Sequence, residues 1–299
     1  MVLSREGRAW SISLDELESL TLASRQGRSL RYTCALRQQS VFQMLRQIMT
    51  IGRFVVLEAW RTRLPWVAAI AFVLVLGLSL FVKELAVTES ARVQIAFLAA
   101  LARLAAVFIT TLYLVSTMAR EFNDRVVDLT LSLELPRASY VLGKFVGYAS
   151  VTVAIGSVCG LLILPFTHDA GLLAWTSTLV LELWIIVALS LFCIISFNQV
   201  MPAASFVLAF YLLARSIGAI QLISASPLLD DQSLAHRVTA GLLRGLAYLL
   251  PGLDRFSETV WLVDEFAGIG SIAIAFGQTL IYVPLLISAA LFDFHRKNF

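Results

Sequence analysis

The chain has 299 residues, of which 59% are hydrophobic and 14% are charged, and its mean hydropathy is +0.84. Soluble domains carry roughly 25% charged residues, so this composition excludes a water-soluble globular protein. Repeated apolar runs of membrane-spanning length predict an all-α, polytopic integral membrane protein with six transmembrane helices. The net charge of +3 is too small to exclude any class of partner by itself.

Residues 1–49 form a basic N-terminal extension that contains seven arginines. They lack the continuous apolar core of a secretory signal. Two interpretations stay open: translation begins at Met44 or Met49, or the extension is ordered and contacts a partner. The rest of the chain, residues 50–299, is predicted to be one membrane domain.

An amphipathic segment, Thr50 to Arg63, comes directly before the first apolar run. Phe54, Leu57 and Trp60 share one side of a helix built on this segment. We therefore predict a helix lying in the membrane interface, with Trp60 and Trp66 as interfacial belt residues.

Six apolar runs of about 20 residues follow, the length that a helix needs to cross the hydrocarbon. The predicted spans are Leu64–Val82, Val93–Met118, Phe145–Phe166, Leu172–Phe197, Met201–Ile223 and Ile269–Phe292. The very short connection from Asn198 to Pro202 predicts a tight hairpin of the fourth and fifth spans. Ser224–Gly268 is the longest connection, with a helical pattern from Leu234 to Leu249 and a second short helix expected within Ser257–Phe266.

The basic residues are distributed unequally between the two sides of the membrane. Sixteen of the 23 Lys and Arg residues lie on the side of both termini and of the loop between spans two and three, whereas five lie on the other side. Because basic residues mark the cytoplasmic side, we predict an N-in/C-in topology with Ser224–Gly268 outside.

The loop between spans two and three, Ala119–Lys144, is the longest charged run between two apolar segments. Phe122, Val126, Leu129 and Leu133 recur at i, i+4, i+7 and i+11, which predicts an amphipathic helix along the membrane face with its charged side chains in water. Pro136, which has no N–H, is predicted to end that helix. The alternative is a solvated loop helix without a specific role.

The order of residues in this loop resembles the cytoplasmic coupling segment of type-2 ABC exporter permeases. The resemblance rests on Glu121, a polar and Leu-rich run, and then Arg137-x-x-Tyr140-Val-Leu-Gly143-Lys144. In that family the proline usually stands three residues before the arginine, whereas here Pro136 is adjacent to Arg137 and Glu134 holds the usual place.

Three other phrases are similar to features of the same family, and the resemblance covers roughly residues 50–299. The E-A-x-R-x-R phrase that begins at Glu58 resembles the elbow helix before the first span. L-P-G-L-D at 250–254 and F-H-R-K-N-F at 294–299 are the other two.

The resemblance implies a permease subunit of an ATP-driven exporter in the cell (inner or plasma) membrane. It further implies a dimer, with itself or a similar subunit, and two separate cytoplasmic ATPase subunits that push on the elbow helix and on segment 119–144. Membrane lipid surrounds such a subunit, and no nucleic-acid partner is expected. The implied ATPase-coupling residues are Arg120, Glu121, Asp124, Arg125, Asp128, Arg137 and Lys144.

The sequence lacks the motifs of several enzyme classes, so we expect no catalytic residue, cofactor or metal on this chain. There is no G-x-x-x-x-G-K-[ST] for a P-loop, and the three histidines are isolated. The cysteines Cys34, Cys159 and Cys193 are far apart and are expected to pack as small apolar residues without disulfides. Asn123-Asp124 with Asp128 only partly matches the aspartate-rich motif of membrane prenyltransferases, because the spacing is one residue too long and a third aspartate is missing.

Three ionisable residues fall within predicted spans: Arg103, Glu182 and Arg215. Charges inside a membrane are costly, so these should face protein or water, and an ion pair of Glu182 with Arg215 or Arg103 is expected. Such a pair is either a clamp between spans or part of a substrate path. An ATPase-independent secondary carrier or channel is the alternative function, although no matching pair of broken helices supports it.

Overall fold

The computed structural model describes residues 43–85, 90–124, 136–167, 170–224, 250–256, 258–263 and 269–296, with the isolated positions 241 and 245. The chain divides into two units, Met1–Gln47 and Ile48–Phe299. In the first unit residues 43–47 are helical. All of the long apolar helices belong to the second unit.

Six helices among the described residues are long and apolar enough to cross a membrane. We number them α1 Leu64–Leu85, α2 Ser90–Asn123, α3 Arg137–Ile163, α4 Ala170–Phe197, α5 Val200–Ser224 and α6 Ile269–Arg296. Residues 48–61 form a shorter helix before α1, which we call the elbow helix. The predicted all-α, six-span fold is thus confirmed, and the chain is a multi-pass membrane protein.

Two helices extend beyond the predicted spans into the charged loop. α2 continues to Asn123, so the first residues of the predicted amphipathic helix are the last turn of a span. α3 begins at Arg137, eight residues before the predicted Phe145, and Pro136 precedes it with an extended backbone (φ −62°, ψ 131°). Arg137 and Lys144, which were expected to precede this span, therefore lie in its first two turns. The other members of the predicted amphipathic helix, Val126, Leu129 and Leu133, lie outside the described residues.

α4 is the central helix of the bundle. It packs against α2, α3, α5 and α6, and its side chains are largely buried around its whole circumference, for example Trp175, Leu179, Leu183 and Ile186. A helix that is apolar on all sides needs such an enclosed position. By contrast α1 and α6 leave most of their apolar surface exposed, as helices at the lipid boundary do.

The predicted hairpin of spans four and five is present. α4 ends at Phe197 and α5 begins at Val200, and Asn198 between them has φ +56°. Asparagine tolerates this left-handed backbone better than most residues, which permits the abrupt reversal.

The two ends of the bundle differ in structure. At the end that we call the polar end, α1 and α3 begin, α2 and α6 terminate, and the elbow helix packs. At the opposite end, a 3-10 turn at Leu253–Arg255 packs on α5 and a short helix at Val260–Val263 packs on α4. That short helix lies where a second loop helix was predicted; apart from two positions, the predicted helix at 234–249 lies outside the described residues.

Candidate functional site at the polar end

An ion pair joins the last turn of α2 to the second turn of α3. Lys144 Nζ binds one carboxylate oxygen of Glu121, and the Tyr140 hydroxyl donates to the other oxygen at 2.8 Å. Only 9% of the Lys144 side chain and 14% of the Glu121 side chain are exposed. The expectation that the Glu121 side chain lies in water is therefore wrong: Glu121 and Lys144 neutralise each other inside the protein.

Arg137, in the first turn of α3, holds the end of α6. Its Nη1 donates to the carbonyl oxygens of Phe294 at 3.1 Å and His295 at 3.3 Å. Carbonyls in the last turn of a helix have no partner within that helix, and a cation at this end also interacts favourably with the helix dipole. The rings of Tyr140 and Phe294 stack at 5.9 Å, which strengthens the same junction.

The elbow helix packs against α3 through glycines. A Cβ added to Gly143 would lie 2.8 Å from Ile51 Cβ, and one added to Gly147 would lie 2.6 Å from Val55 Cβ. The backbones approach so closely because two small residues stand four apart, the spacing typical of helix pairs in membranes. The sequence contained this signal, but its meaning depended on finding the facing helix.

The opposite side of the elbow helix is apolar and exposed. Phe54, Leu57 and Trp60 all lie there, and Trp66 at the start of α1 is exposed as well. This arrangement has the form that a helix in the membrane interface requires, with one face on the protein and the other on lipid.

Glu58 of the elbow helix adds a second carboxylate to the neighbourhood of the ion pair. Partial burial raises the pKa of Glu58 above its ordinary 4.5; Lys144 opposes this shift, Glu121 adds to it and Arg120 opposes it. The elbow helix, α2 and α3 thus contribute to one group of interacting charges, which we call the charge cluster: Glu58, Arg120, Glu121 and Lys144.

The seven predicted coupling residues fall into three groups. Arg120 and Asp124 are exposed at the end of α2. Glu121, Lys144 and Arg137 bind other parts of the bundle. Arg125 and Asp128 lie outside the described residues. Tyr140 and Glu58, which the sequence analysis did not select as site residues, complete the arrangement.

The charges inside the spans form a second polar group. The expected pairing of Glu182 with Arg215 is present: Glu182 is buried and its Oε1 lies 4.0 Å from Arg215 Nη1. Arg215 also donates to the carbonyl oxygens of Leu253 and of Phe256, the latter at 2.8 Å. It therefore ties α5 to α4 and to the 3-10 turn at once.

Tyr211 links this pair to the third charge. Tyr211 lies close to Glu182 and within electrostatic range of Arg103, which is also buried. Arg103 forms no ion pair with a described residue. Glu182 and Arg103 thus lie near the same buried tyrosine.

No group of three or more His, Cys, Asp or Glu side chains among the described residues is placed to hold a metal ion. Asp128, part of the partial prenyltransferase motif, lies outside them.

No family model matches the chain, and no curated protein matches it. Its class therefore rests on architecture: a six-span α-helical membrane protein in which charged side chains join three helices at one end.

Proposed function

We propose that the chain is the membrane-spanning permease subunit of an ATP-driven ABC exporter in the cell membrane, working as a dimer with separate ATPase subunits. One observation carries the proposal. The helices that flank segment 125–135 are joined to each other by Glu121–Lys144 and to the elbow helix by the glycine contacts. A push on that segment therefore moves several spans together.

The proposed coupling follows these contacts. The ATPases dock on segment 125–135 and on the exposed Arg120 and Asp124 beside it. Their closure displaces the last turn of α2 and the first turns of α3 as one body, because the buried ion pair resists separation. Through Gly143 and Gly147 the elbow helix follows, and through Arg137 so does the end of α6. The spans then rock, and substrate passes outward between two permease subunits.

The contacts support two different roles among the predicted ATPase-coupling residues: binding of the partner and transmission of its movement. Arg120 and Asp124 are positioned to bind a partner, since they are exposed. Glu121, Lys144 and Arg137 transmit the movement, since they bind neighbouring helices. Reversing an exposed charge should therefore weaken docking, whereas changing an internal one should also cost stability.

The arrangement of the intramembrane charges supports an exporter more than a carrier. Glu182 and Arg215 form an ion pair at 4.0 Å, and Arg215 also binds a loop turn. A carrier that uses ions would employ such residues for transport, but here packing alone explains them. We therefore keep the exporter as the one proposed function.

The test is to express the chain together with its neighbouring reading frames, among which we expect a P-loop ATPase, purify through a tag on the permease, and measure ATP hydrolysis in proteoliposomes. We expect the ATPase to co-purify, and Asp124→Lys combined with Arg120→Glu to reduce its recovery at least fivefold. The matched control is Lys83→Glu, an exposed charge at the other end of α1, which should leave recovery unchanged. Absence of any co-purified ATPase, or equal recovery with the double variant, would overturn the proposal.

A further inference from the structure

A cavity of about 620 Å³ lies between the start of α1 and the second half of α2. This is within the range of about 300–1,000 Å³ that small-molecule sites occupy. Its walls come from Thr62 to Val67 on one side and from Phe108 to Arg120 on the other. We call it the α1–α2 groove.

The groove changes from basic to apolar along its length. Arg63 and Arg120 stand at the polar end, with the hydroxyls of Thr62 and Thr117. Leu112 and Phe108 line the deeper part. Arg120 and Phe108 are twelve positions apart on one helix, which is about 18 Å along its axis at 1.5 Å per residue. That length is close to half of a hydrocarbon core of about 30 Å, so the groove spans one leaflet.

The groove opens sideways, toward the surroundings of the bundle. Val67, Phe108 and Leu112 remain 53%, 38% and 46% exposed although all three belong to membrane-spanning helices. The exposed side of the groove is therefore apolar, and an acyl chain can enter it from the side.

We propose that the α1–α2 groove binds one anionic phospholipid from the leaflet at the polar end. The two guanidinium groups receive the phosphate, since arginine is well suited to bidentate phosphate binding. The acyl chain lies along Val67, Leu112 and Phe108. Glu58 lies within electrostatic range of Arg120 and offsets one positive charge, but with Arg63 the mouth of the groove stays net positive. Basic pockets between transmembrane helices bind anionic lipid head groups in the same manner.

This lipid site does not depend on the proposed exporter function. It concerns one chain in a bilayer, so its test needs no ATPase and no transport substrate, and either proposal can fail alone. The bound lipid would brace the junction of the elbow helix with α1 and α2.

The experiment is native mass spectrometry of the purified full chain after incubation with phosphatidylglycerol or with phosphatidylcholine of the same acyl chains. We expect wild type to retain one phosphatidylglycerol at least fivefold more than phosphatidylcholine. Arg63→Gln combined with Arg120→Gln should abolish this preference. The matched control, Arg53→Gln, removes an exposed arginine of the elbow helix that does not line the groove and should behave as wild type.

A second variant keeps the proposal testable if the double variant fails to fold. Leu112→Trp fills the apolar part of the groove and should lower phosphatidylglycerol retention at least fivefold without changing the unfolding temperature. Equal retention of the two lipids by wild type, or equal loss in Arg53→Gln, would overturn the proposal.

Two other occupants give distinct results. If soluble glycerol phosphate displaces the lipid at equal concentration, the groove is a phosphate site and the lipid proposal is wrong. If single cysteines at Val67 and Leu112, in a cysteine-free background, cross-link two copies of the chain, the groove is a subunit interface and the proposal fails as well.

Discussion

The Glu121–Lys144 pair sits where helix ends would otherwise separate. Both side chains are largely buried, and the Tyr140 hydroxyl donates to the carboxylate oxygen that Lys144 does not bind. A buried pair of this kind contributes little relative to two apolar residues, but removal of one partner leaves a charge without compensation. Its role is therefore to fix the geometry of α2 against α3.

Removing the cation alone should destabilise the protein strongly. We expect Lys144→Met to lower the free energy of unfolding by about 3–5 kcal/mol, because it leaves the buried Glu121 carboxylate without an opposite charge. The double variant Glu121→Gln/Lys144→Met should recover most of this loss, since no charge remains. Chemical denaturation of the purified chain measures both.

Asp124→Asn is the matched control for this pair, since Asp124 is exposed three residues further along the chain. It should change stability by less than about 0.5 kcal/mol, as most surface substitutions do. If Lys144→Met costs no more than Asp124→Asn, the buried pair does not join the helices.

Glu58 should make stability depend on pH. Its raised pKa means that folding favours the protonated form. The stability that this provides is fully present below about pH 4.5, and it is lost as the pH rises through the folded-state pKa. Glu58→Gln stays neutral, so it should be more stable than wild type at about pH 8 and equal to it at about pH 4.

The size of this effect is small because the Glu58 side chain is exposed and water screens it. We expect a difference below about 1 kcal/mol, seen as a shift in unfolding temperature between the two pH values. A variant that is less stable than wild type at the higher pH would show that the attraction to Lys144 outweighs partial burial.

Arg215 donates hydrogen bonds to two carbonyl oxygens in addition to its ion pair with Glu182, and this changes the result expected of a charge swap. Glu182→Arg with Arg215→Glu restores an opposite-charge pair, but a carboxylate at position 215 cannot donate to Leu253 and Phe256. Each hydrogen bond from a charged group contributes about 1.5–3 kcal/mol. The swap should therefore remain destabilised, whereas Arg215→Lys, which keeps a donor, should lose less. If the swap restored the full free energy of unfolding, the hydrogen bonds to Leu253 and Phe256 would contribute nothing to stability.

The contact between the elbow helix and α3 depends on the absence of side chains at its glycines. Gly147→Ala places a Cβ against Val55 and should cost about 1–3 kcal/mol through overpacking. Gly77 in α1 has no atom within 4 Å of an added Cβ, so Gly77→Ala should instead stabilise by about 0.5–1 kcal/mol. Thermal unfolding of the two variants compares them directly, and a shift of the same sign in both would contradict the packing described.

The spans were predictable because apolar runs of this length have few alternatives, and Asn198 marked the tight reversal. The start of α3 was not predicted correctly, because Arg137 and Lys144 were assigned to a loop on account of their charge. Whether a charged residue is helical and buried depends on its partner: Glu121 and the end of α6 supply those partners from distant parts of the sequence. Likewise the Glu182–Arg215 pair was predictable from the similar depth of the two residues in their spans. The hydrogen bonds from Arg215 to the 3-10 turn were not predictable, because the sequence does not show that this turn packs on α5.

Among the described residues, one end of the bundle carries several interacting charges and the body is apolar. The N-in/C-in orientation stays a prediction from the basic residues, and it would place this polar end in the cytoplasm. If the polar end faces the cytoplasm, Arg120, Asp124 and the groove mouth at Arg63 all face that side. The proposed ATPase dock requires this orientation, whereas the proposed lipid site requires only a bilayer leaflet at the polar end.

Photo-cross-linking in living cells tests the central claim most directly. Asp124 is replaced with benzoylphenylalanine, and the cross-linked partner is identified by mass spectrometry. The account predicts that a protein containing G-x-x-x-x-G-K-[ST] is captured, whereas the same replacement at Phe81, which is exposed on α1 near the opposite end, captures none. Capture of lipid alone at position 124, or of the same partner from both positions, would contradict an ATPase-coupled permease.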